Sequence, residues 1–160
     1  MFETTERTRT PDYAQLELQL QSLLAGERNF VTNAAQFSAF IFQTLADLNW
    51  AGFYLAQDQT LLLGPFQGKV ACVKIPFGRG VCGAAAQQRK TIVVADVHAF
   101  DGHIACDSAS NSEIVLPVIV GERLLGVFDI DSPQLNRFSD ADQLGLEKLV
   151  ACFVAMTDVA

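Results

Sequence analysis

The spacing of apolar residues changes twice along this chain, and these changes limit the folds that it can adopt. Up to about residue 48, apolar side chains recur three and four residues apart, which is the spacing of an amphipathic helix. From residue 50 to residue 131 strand-like alternation dominates, and helical spacing returns after Ser139. Two leading helices, a strand-rich middle and one closing helix predict an α+β domain with a central, mostly antiparallel sheet.

The same pattern predicts where each element lies. The predicted elements are a helix with the stripe Leu16, Leu20, Leu23 and Leu24 that Gly26 ends, a helix with a stripe from Phe30 to Leu48 capped by Asn29, a hairpin of 50–56 and 60–64, a strand at 72–76, a helix at 81–89, a strand at 91–94, a hairpin of 113–120 and 123–131, and a helix capped by Ser139 with Asp142 at its third position. Residues 98–111 form a long polar loop, a kind of segment that is often functional. We expect residues 1–11 to be a flexible tail and residues 12–160 to form one domain.

Composition limits the partners of this domain. The 160 residues include 18 acids and 11 bases, so the net charge is -7, and neither nucleic acid nor an anionic membrane is an expected partner. No apolar run reaches the roughly 18 residues of a spanning helix, and no apolar signal core follows Met1. We therefore expect a cytoplasmic protein, in which an oxidised cysteine pair is typically transient and catalytic.

Two of the four cysteines have contrasting surroundings. Cys106 lies in the polar loop, within His103-Ile104-Ala105-Cys106-Asp107-Ser108, where a substrate can reach its thiol. Cys152 lies in the apolar stretch Val150-Ala151-Cys152-Phe153, which is typical of a core position. Local context therefore favours Cys106 as a reactive thiol, although a loop cysteine without a role is the alternative.

The other two cysteines each allow two interpretations. Cys82 follows Gly78-Arg79-Gly80 at a predicted helix start, where the helix dipole and the arginine favour the thiolate. The alternative for Cys82 is a buried residue that packs the helix on the sheet. Cys72 alternates with Val73 in a predicted strand and is either a core residue or part of a site.

Zinc binding is the main alternative to thiol chemistry. The donors available to an ion are Cys72, Cys82, Cys106, His98 and His103. No two of these cysteines have the spacing of two to four residues that is typical of structural zinc sites, so we expect no metal.

Acids and aromatic rings recur on single faces of the predicted strands. Alternation places Val127, Asp129 and Asp131 on one face of the 123–131 strand. Phe128 and Ile130 lie on the other face, which packs on the core. The acidic face is either exposed to solvent or part of a site. Trp50 and Tyr54 likewise share a face, as core residues or as a pocket wall, and Glu113 begins the strand after the polar loop.

Several segments together resemble the free methionine-(R)-sulfoxide reductase family, whose members are stand-alone GAF-domain enzymes. They are Asn49-Trp50-Ala51-Gly52-Phe53-Tyr54, Leu63-Gly64-Pro65-Phe66-Gln67-Gly68-Lys69, Ala71-Cys72, Ile75-Pro76, Gly78-Arg79-Gly80-Val81-Cys82-Gly83, Asp96-Val97-His98-Ala99-Phe100-Asp101-Gly102-His103-Ile104-Ala105-Cys106-Asp107, Ser110-Asn111-Ser112-Glu113-Ile114-Val115 and Gly126-Val127-Phe128-Asp129-Ile130-Asp131-Ser132. The resemblance covers roughly residues 12–155 in order.

The resemblance implies a GAF fold, usually as a homodimer, and a cycle of thiol chemistry. In that cycle Cys106 attacks the sulfoxide and becomes a sulfenic acid, Cys72 resolves it as a disulfide, and Cys82 has a lesser or back-up role. Thioredoxin, which receives its electrons from NADPH through thioredoxin reductase, restores the thiols. No bound cofactor is implied. The residues that match the family's substrate site are Trp50, Tyr54, Glu113, Asp129 and Asp131.

Two other functions remain open at this point. A non-catalytic GAF module would bind a small molecule, but such modules normally feed an output domain, and here we expect only short tails around one domain. A different thiol enzyme, such as a peroxidase or a cysteine hydrolase, would use His98 or His103 as its base.

Overall fold

The structure is a computed structural model and describes residues 7–104 and 106–159. Its elements are α1 (Tyr13–Leu24), α2 (Phe30–Thr44), β1 (Trp50–Gln57), β2 (Thr60–Gly68), β3 (Lys74–Pro76), α3 (Gly80–Gln88), β4 (Ile92–Val94), β5 (Ser112–Val120), β6 (Arg123–Ser132) and α4 (Asp140–Ala155), with a 3-10 turn at Val97–Ala99. The strands form one six-stranded sheet in the order β3-β2-β1-β6-β5-β4, and each of its pairings is antiparallel. The predicted α+β class is confirmed.

Alternation along the strands builds an apolar layer on each face of this sheet. On one face, Phe53, Phe128 and Ile130 pack with α1, α2 and α4. On the other face, Trp50, Tyr54 and Val127 pack with α3. Because both faces are covered, the acidic face of β6 is not a solvent-exposed surface.

The helix caps form as the sequence predicts. The Asn29 side chain accepts a hydrogen bond from the Thr32 amide at 3.0 Å and begins α2. Ser139 and Asp142 form a capping box at the start of α4. Asp142 also pairs with the buried Arg137 at 3.2 Å and accepts a hydrogen bond from the Tyr13 hydroxyl at 2.6 Å. These contacts tie α4 to α1.

Three predicted boundaries differ from the structure. The second helix ends at Thr44 because the chain turns there, with Asp47 in the left-handed region at φ 63°. The strand predicted at 60–64 continues to Gly68, since a register shift in the β1–β2 pairing takes up Gly64-Pro65 opposite Phe53. Cys72 lies before β3, which begins at Lys74, so the prediction of Cys72 within a strand is wrong.

Residues 7–11 of the predicted tail lie against the domain. The Thr8 amide donates to the Thr44 carbonyl at 3.3 Å, and the Thr8 carbonyl accepts from the Ala46 amide at 3.0 Å. Residues 1–6 lie outside the described residues, and the tail boundary stays a prediction. Within the part of the chain that the structure describes, no helix has both the length and the apolar character needed to cross a membrane.

Gly52 in β1 generates a stability prediction. A Cβ at this position would lie 2.8 Å from Phe66 Cα and 2.8 Å from Trp50 Cη2, so it would meet backbone as well as a packed ring. We expect Gly52→Ala to lower the free energy of unfolding by about 1–3 kcal/mol. Urea denaturation followed by the fluorescence of Trp50, the single tryptophan, measures this loss.

The matched control for this variant is Gly64→Ala. Its Cβ would meet the movable side chain of Leu55 at 3.2 Å, so we expect a smaller loss. Equal losses in the two variants would contradict the interpretation that the Phe66 backbone and the Trp50 ring leave no room for a side chain at Gly52.

Candidate active site

One cavity lies between the sheet, the start of α3 and the polar loop 98–111, here called the Cys106 loop. Its volume is about 520 Å³, counting the space at its open mouth. The lining includes all the predicted site residues except Cys72, namely Trp50, Tyr54, Cys82, Cys106, Glu113, Asp129 and Asp131. The structure therefore brings together side chains from positions 50 to 131 of the sequence.

Three carboxyl groups come together in the cavity because β5 and β6 pair. The register places Glu113 opposite Asp131 and Val115 opposite Asp129. Glu113 and Asp129 are only 6% and 5% exposed, whereas Asp131 is half-buried. The alternative of a solvent-exposed acidic face is therefore wrong for Asp129.

Burial changes the protonation of these carboxyl groups. Desolvation, followed by the charges of Asp129 and Asp131, raises the pKa of Glu113 well above its ordinary range. Desolvation likewise raises the pKa of Asp131 well above its ordinary range. Desolvation also raises the pKa of Asp129, and the neighbouring Glu113 and Cys82 partly offset this rise. The cluster consequently retains protons at a pH where exposed carboxyl groups are ionised.

One oxygen of the cluster is available to a ligand. Asp129 Oδ1 is buried and has no hydrogen-bond partner among the described residues. A buried polar atom without a partner is costly, and in native proteins such atoms are usually satisfied by something. A ligand with an N–H donor would satisfy it.

The aromatic residues form one wall of the cavity. The rings of Trp50 and Tyr54 are stacked with centroids 5.8 Å apart, and Phe66 stacks on Trp50 at 5.2 Å. Trp50 Nε1 donates to the Lys69 carbonyl at 3.1 Å, and the Tyr54 hydroxyl donates to the Cys72 carbonyl at 2.8 Å. Burial raises the pKa of Tyr54, so this hydroxyl keeps its proton. The polar ends of the wall thus hold residues 69–73, here called the Cys72 loop.

A disulfide joins Cys72 to Cys106. The two residues are 34 positions apart in the sequence, and their Cα atoms are 5.7 Å apart. This separation is within the roughly 7 Å that a disulfide permits, and the pairing agrees with what the family resemblance implies. Cys106 faces the cavity, whereas Cys72 lies outside its lining.

Asn49 fixes the Cys106 loop, a role that was not predicted from the sequence. Its side-chain amide donates to Asp107 Oδ2 and to Ser110 Oγ, both at 3.0 Å. Asp107 directly follows Cys106, so these bonds anchor the loop next to the disulfide. The position of Asn49 just before a predicted strand was the signal that could have indicated this role.

Cys82 lies in the first turn of α3 and lines the cavity. It is 5% exposed, and burial, followed by the charges of Asp129 and Glu113, raises the pKa of its thiol well above the ordinary range. Of the two interpretations of Cys82, the structure favours the buried residue, because desolvation and the acids outweigh the effect of the helix start and Arg79 on its pKa. Cys152 packs in the core on the other face of the sheet, as predicted.

The donor atoms of Cys82, Glu113 and Asp129 lie within 4.8 Å of one another, close enough to hold a metal ion. Two of the sulfurs considered for zinc, those of Cys72 and Cys106, are joined to each other instead. Three donors from one thiol and two carboxyl groups differ from the cysteine-rich sets of structural zinc sites. The absence of a structural metal stays a prediction.

The two histidines lie in different places. His103 lines the cavity, with its Nε2 atom 4.0 Å from Glu113 Oε1. Burial, followed by the charge of His98, lowers the pKa of His103 and favours the neutral ring. His98 contacts Asn111 Oδ1 at 3.1 Å and is not part of the cavity lining.

The fold and the site together define a GAF-type domain that carries a cysteine redox centre in its ligand cavity. The GAF domain family model matches residues 31–151. The free methionine-R-sulfoxide reductase of Escherichia coli is 55% identical over 143 residues, which cover 89% of this chain and 87% of that protein.

Solved structures agree with these matches. The Staphylococcus aureus protein fRMsr in its reduced form has a TM-score of 0.90 at 45% identity, covering 93% of this chain and 97% of that one. Free methionine-R-sulfoxide reductase from Neisseria meningitidis, solved with its substrate, has a TM-score of 0.89 at 39% identity, covering 98% and 95%. The chain belongs to the free methionine-R-sulfoxide reductase family, a group of GAF-domain oxidoreductases.

The buried acid Glu113 predicts a pH-dependent stability. Between its ordinary value of 4.5 and its raised pKa, the folded state holds a proton that the unfolded chain releases, so stability falls as pH rises. Glu113→Gln removes the part of this loss that the Glu113 carboxyl causes. Urea denaturation of the oxidised protein at pH 5 and pH 8 should show a smaller fall for the variant than for the wild type.

Exposed Glu122 in the β5–β6 turn provides the matched control. Glu122→Gln should follow the wild-type pH dependence. If Glu113→Gln also follows it, the burial of an ionisable group at this position does not control the stability.

Proposed function

We propose that this chain reduces free L-methionine-(R)-sulfoxide to L-methionine, with Cys106 as the nucleophile. The observation that carries this proposal is the joining of Cys106 to Cys72 at a cavity that also holds three carboxyl groups. The chemistry of sulfoxide reduction needs a thiol, a proton for the departing oxygen and a second thiol. The cavity has a candidate for each.

The first step transfers the oxygen of the sulfoxide. The Cys106 thiolate attacks the sulfoxide sulfur, the oxygen takes up a proton, and collapse of the adduct gives methionine and the Cys106 sulfenic acid. Glu113 is the proposed proton donor, because burial raises its pKa and keeps it protonated at a pH where an exposed glutamate is ionised. Proton donation of this kind contributes about 10²–10⁴-fold to a rate.

The second step forms the disulfide. The Cys72 thiol attacks the sulfenic sulfur, releasing water and joining the two residues. Overall, one sulfoxide and two thiols become one sulfide, one disulfide and one water. Thioredoxin then reduces the disulfide, with its own electrons coming from NADPH through thioredoxin reductase.

The remaining side chains bind the substrate in this proposal. Asp129, whose Oδ1 atom lacks a partner, accepts from the substrate ammonium group together with Asp131. The rings of Trp50 and Tyr54 pack against the substrate's apolar part. Arg79 and the start of α3 both lie at the cavity and bind the substrate carboxylate in this proposal. This role of Arg79 was not predicted from the sequence.

The site also supports a choice of free over peptide-bound substrate. A free amino acid presents an ammonium and a carboxylate group, and both have proposed partners in a cavity that the Cys106 loop covers. A methionine sulfoxide within a peptide lacks both charges.

We further propose a homodimer located in the cytoplasm, with Cys82 as a back-up resolving thiol.

Turnover with four substrates tests the function. The purified protein with dithiothreitol should form methionine from the free R-sulfoxide and show at least a hundredfold lower kcat/KM with the free S-sulfoxide. Peptide-bound R- and S-sulfoxides should give no turnover, because their main chain lacks the two charges. Liquid chromatography of the methionine formed measures each rate, and a preference for the S-epimer or for peptides would refute the proposal.

Cysteine variants test the roles of the thiols. Cys106→Ser should abolish methionine formation, since a hydroxyl is a far weaker nucleophile. Cys72→Ser should form about one equivalent of methionine rapidly and then turn over slowly, because the sulfenic acid is no longer resolved efficiently. Rapid-quench measurement of methionine separates the two phases.

The matched control for these variants is Cys152→Ser, which changes a free cysteine far from the cavity. This variant should keep the wild-type rate. If Cys106→Ser retained the burst, another residue would have to be the nucleophile.

A further inference from the structure

The Cys72 loop has an unusual surface for this protein. Val70 is 89% exposed and Val73 is 61% exposed, and they lie on either side of Cys72 in the sequence. Lys69 and Lys74 are exposed next to these valines. Two strongly exposed valines within four residues make this segment a candidate binding surface.

The charge of this loop also differs from that of the rest of the chain. The sequence has four lysines, Lys69, Lys74, Lys90 and Lys148, so two of them fall within six residues. The protein as a whole has a net charge of -7. A local positive patch in an acidic protein favours a partner with an acidic surface, because complementary charges speed encounter.

The two sulfurs of the disulfide face different surroundings. Cys106 belongs to the lining of the cavity, whereas Cys72 does not, although both residues are half-buried. A protein reductant is too large to enter a cavity of about 520 Å³ and has to approach from outside. We therefore take the sulfur of Cys72, which lies outside the cavity lining, as the one that such a reductant attacks.

We propose that the Cys72 loop, with Lys69 and Val73 at its surface, and the adjoining Lys74 form the docking site of a dithiol protein reductant with an apolar, acidic face. This inference rests on the proposed function, because it specifies how the disulfide of that cycle is reduced. The reductant's thiolate attacks the Cys72 sulfur, the Cys72–Cys106 bond breaks, and Cys106 leaves as a thiolate inside the cavity.

The reductant's second thiolate then attacks the reductant's first sulfur, which is bonded to Cys72 in the mixed disulfide, and this releases Cys72. The two protons of the reductant's thiols pass to the released thiolates, so one disulfide and one dithiol exchange oxidation states. This direction of attack returns the reduced Cys106 sulfur to the cavity, where the next substrate binds.

The test measures reduction of the disulfide directly, without sulfoxide. Oxidised protein is mixed with reduced thioredoxin, quenched in acid, and its free thiols are labelled with a maleimide and counted by mass spectrometry. Lys69→Glu/Lys74→Glu should lower the second-order rate constant about tenfold at low salt, and the difference should shrink at high salt. Val73→Ser should lower it about threefold.

Matched controls come from the same side-chain types elsewhere on the surface. Lys90→Glu/Lys148→Glu makes the same change in net charge, and Val31→Ser removes a valine that is 64% exposed. Neither control should lower the rate constant more than twofold. Reduction by dithiothreitol should stay unchanged in all four variants, because a small dithiol needs no docking surface.

Equal rate constants for the loop variants and their controls would overturn the docking site. A matching loss with dithiothreitol would also overturn it, because the loop would then control the reactivity of the disulfide itself. Failure of the proposed function would appear separately, as absent methionine formation by the wild type with dithiothreitol.

Discussion

The clustering of three carboxyl groups on one covered face of β5 and β6 is the constraint on which the site depends. Antiparallel pairing places Glu113 beside Asp131 and brings Asp129 to the same face, and α3 covers that face. Water would keep these groups ionised, but desolvation and mutual repulsion favour protonation. The fold therefore places three carboxyl groups in one cavity, and in the proposed function Glu113 donates the proton while Asp129 and Asp131 bind the substrate.

The sheet connects this cluster to the cysteine chemistry. β1 pairs with β6, so Trp50 and Tyr54 stand on the same face as the acids. The Tyr54 hydroxyl reaches the Cys72 carbonyl, and Asn49 just before β1 binds the segment after Cys106. One strand thus positions both partners of the disulfide, while the opposite face of the sheet packs on α1, α2 and α4.

Local pattern in the sequence predicted much of the fold but only part of the site. Apolar spacing and the caps at Asn29 and Ser139 depend on near neighbours, and these predictions were confirmed. Whether Asp129 is exposed to solvent or part of a site was left open, since alternation shows which residues share a face but not what covers that face. The pairing of Cys72 with Cys106 came only from the family resemblance, because contacts across 34 residues depend on the folded chain. The choice between the two interpretations of Cys82 was left open for the same reason, since its pKa is set by burial and by acids from distant strands.

Mapping the disulfide formed in a single turnover tests the central claim most directly. Fully reduced protein is mixed with one equivalent of free methionine-R-sulfoxide, its free thiols are blocked, and its peptides are analysed by mass spectrometry. We predict one equivalent of methionine, a peptide pair joined through Cys72 and Cys106, and Cys82 blocked as a free thiol. Methionine formation with Cys106 still blocked as a free thiol would contradict the account.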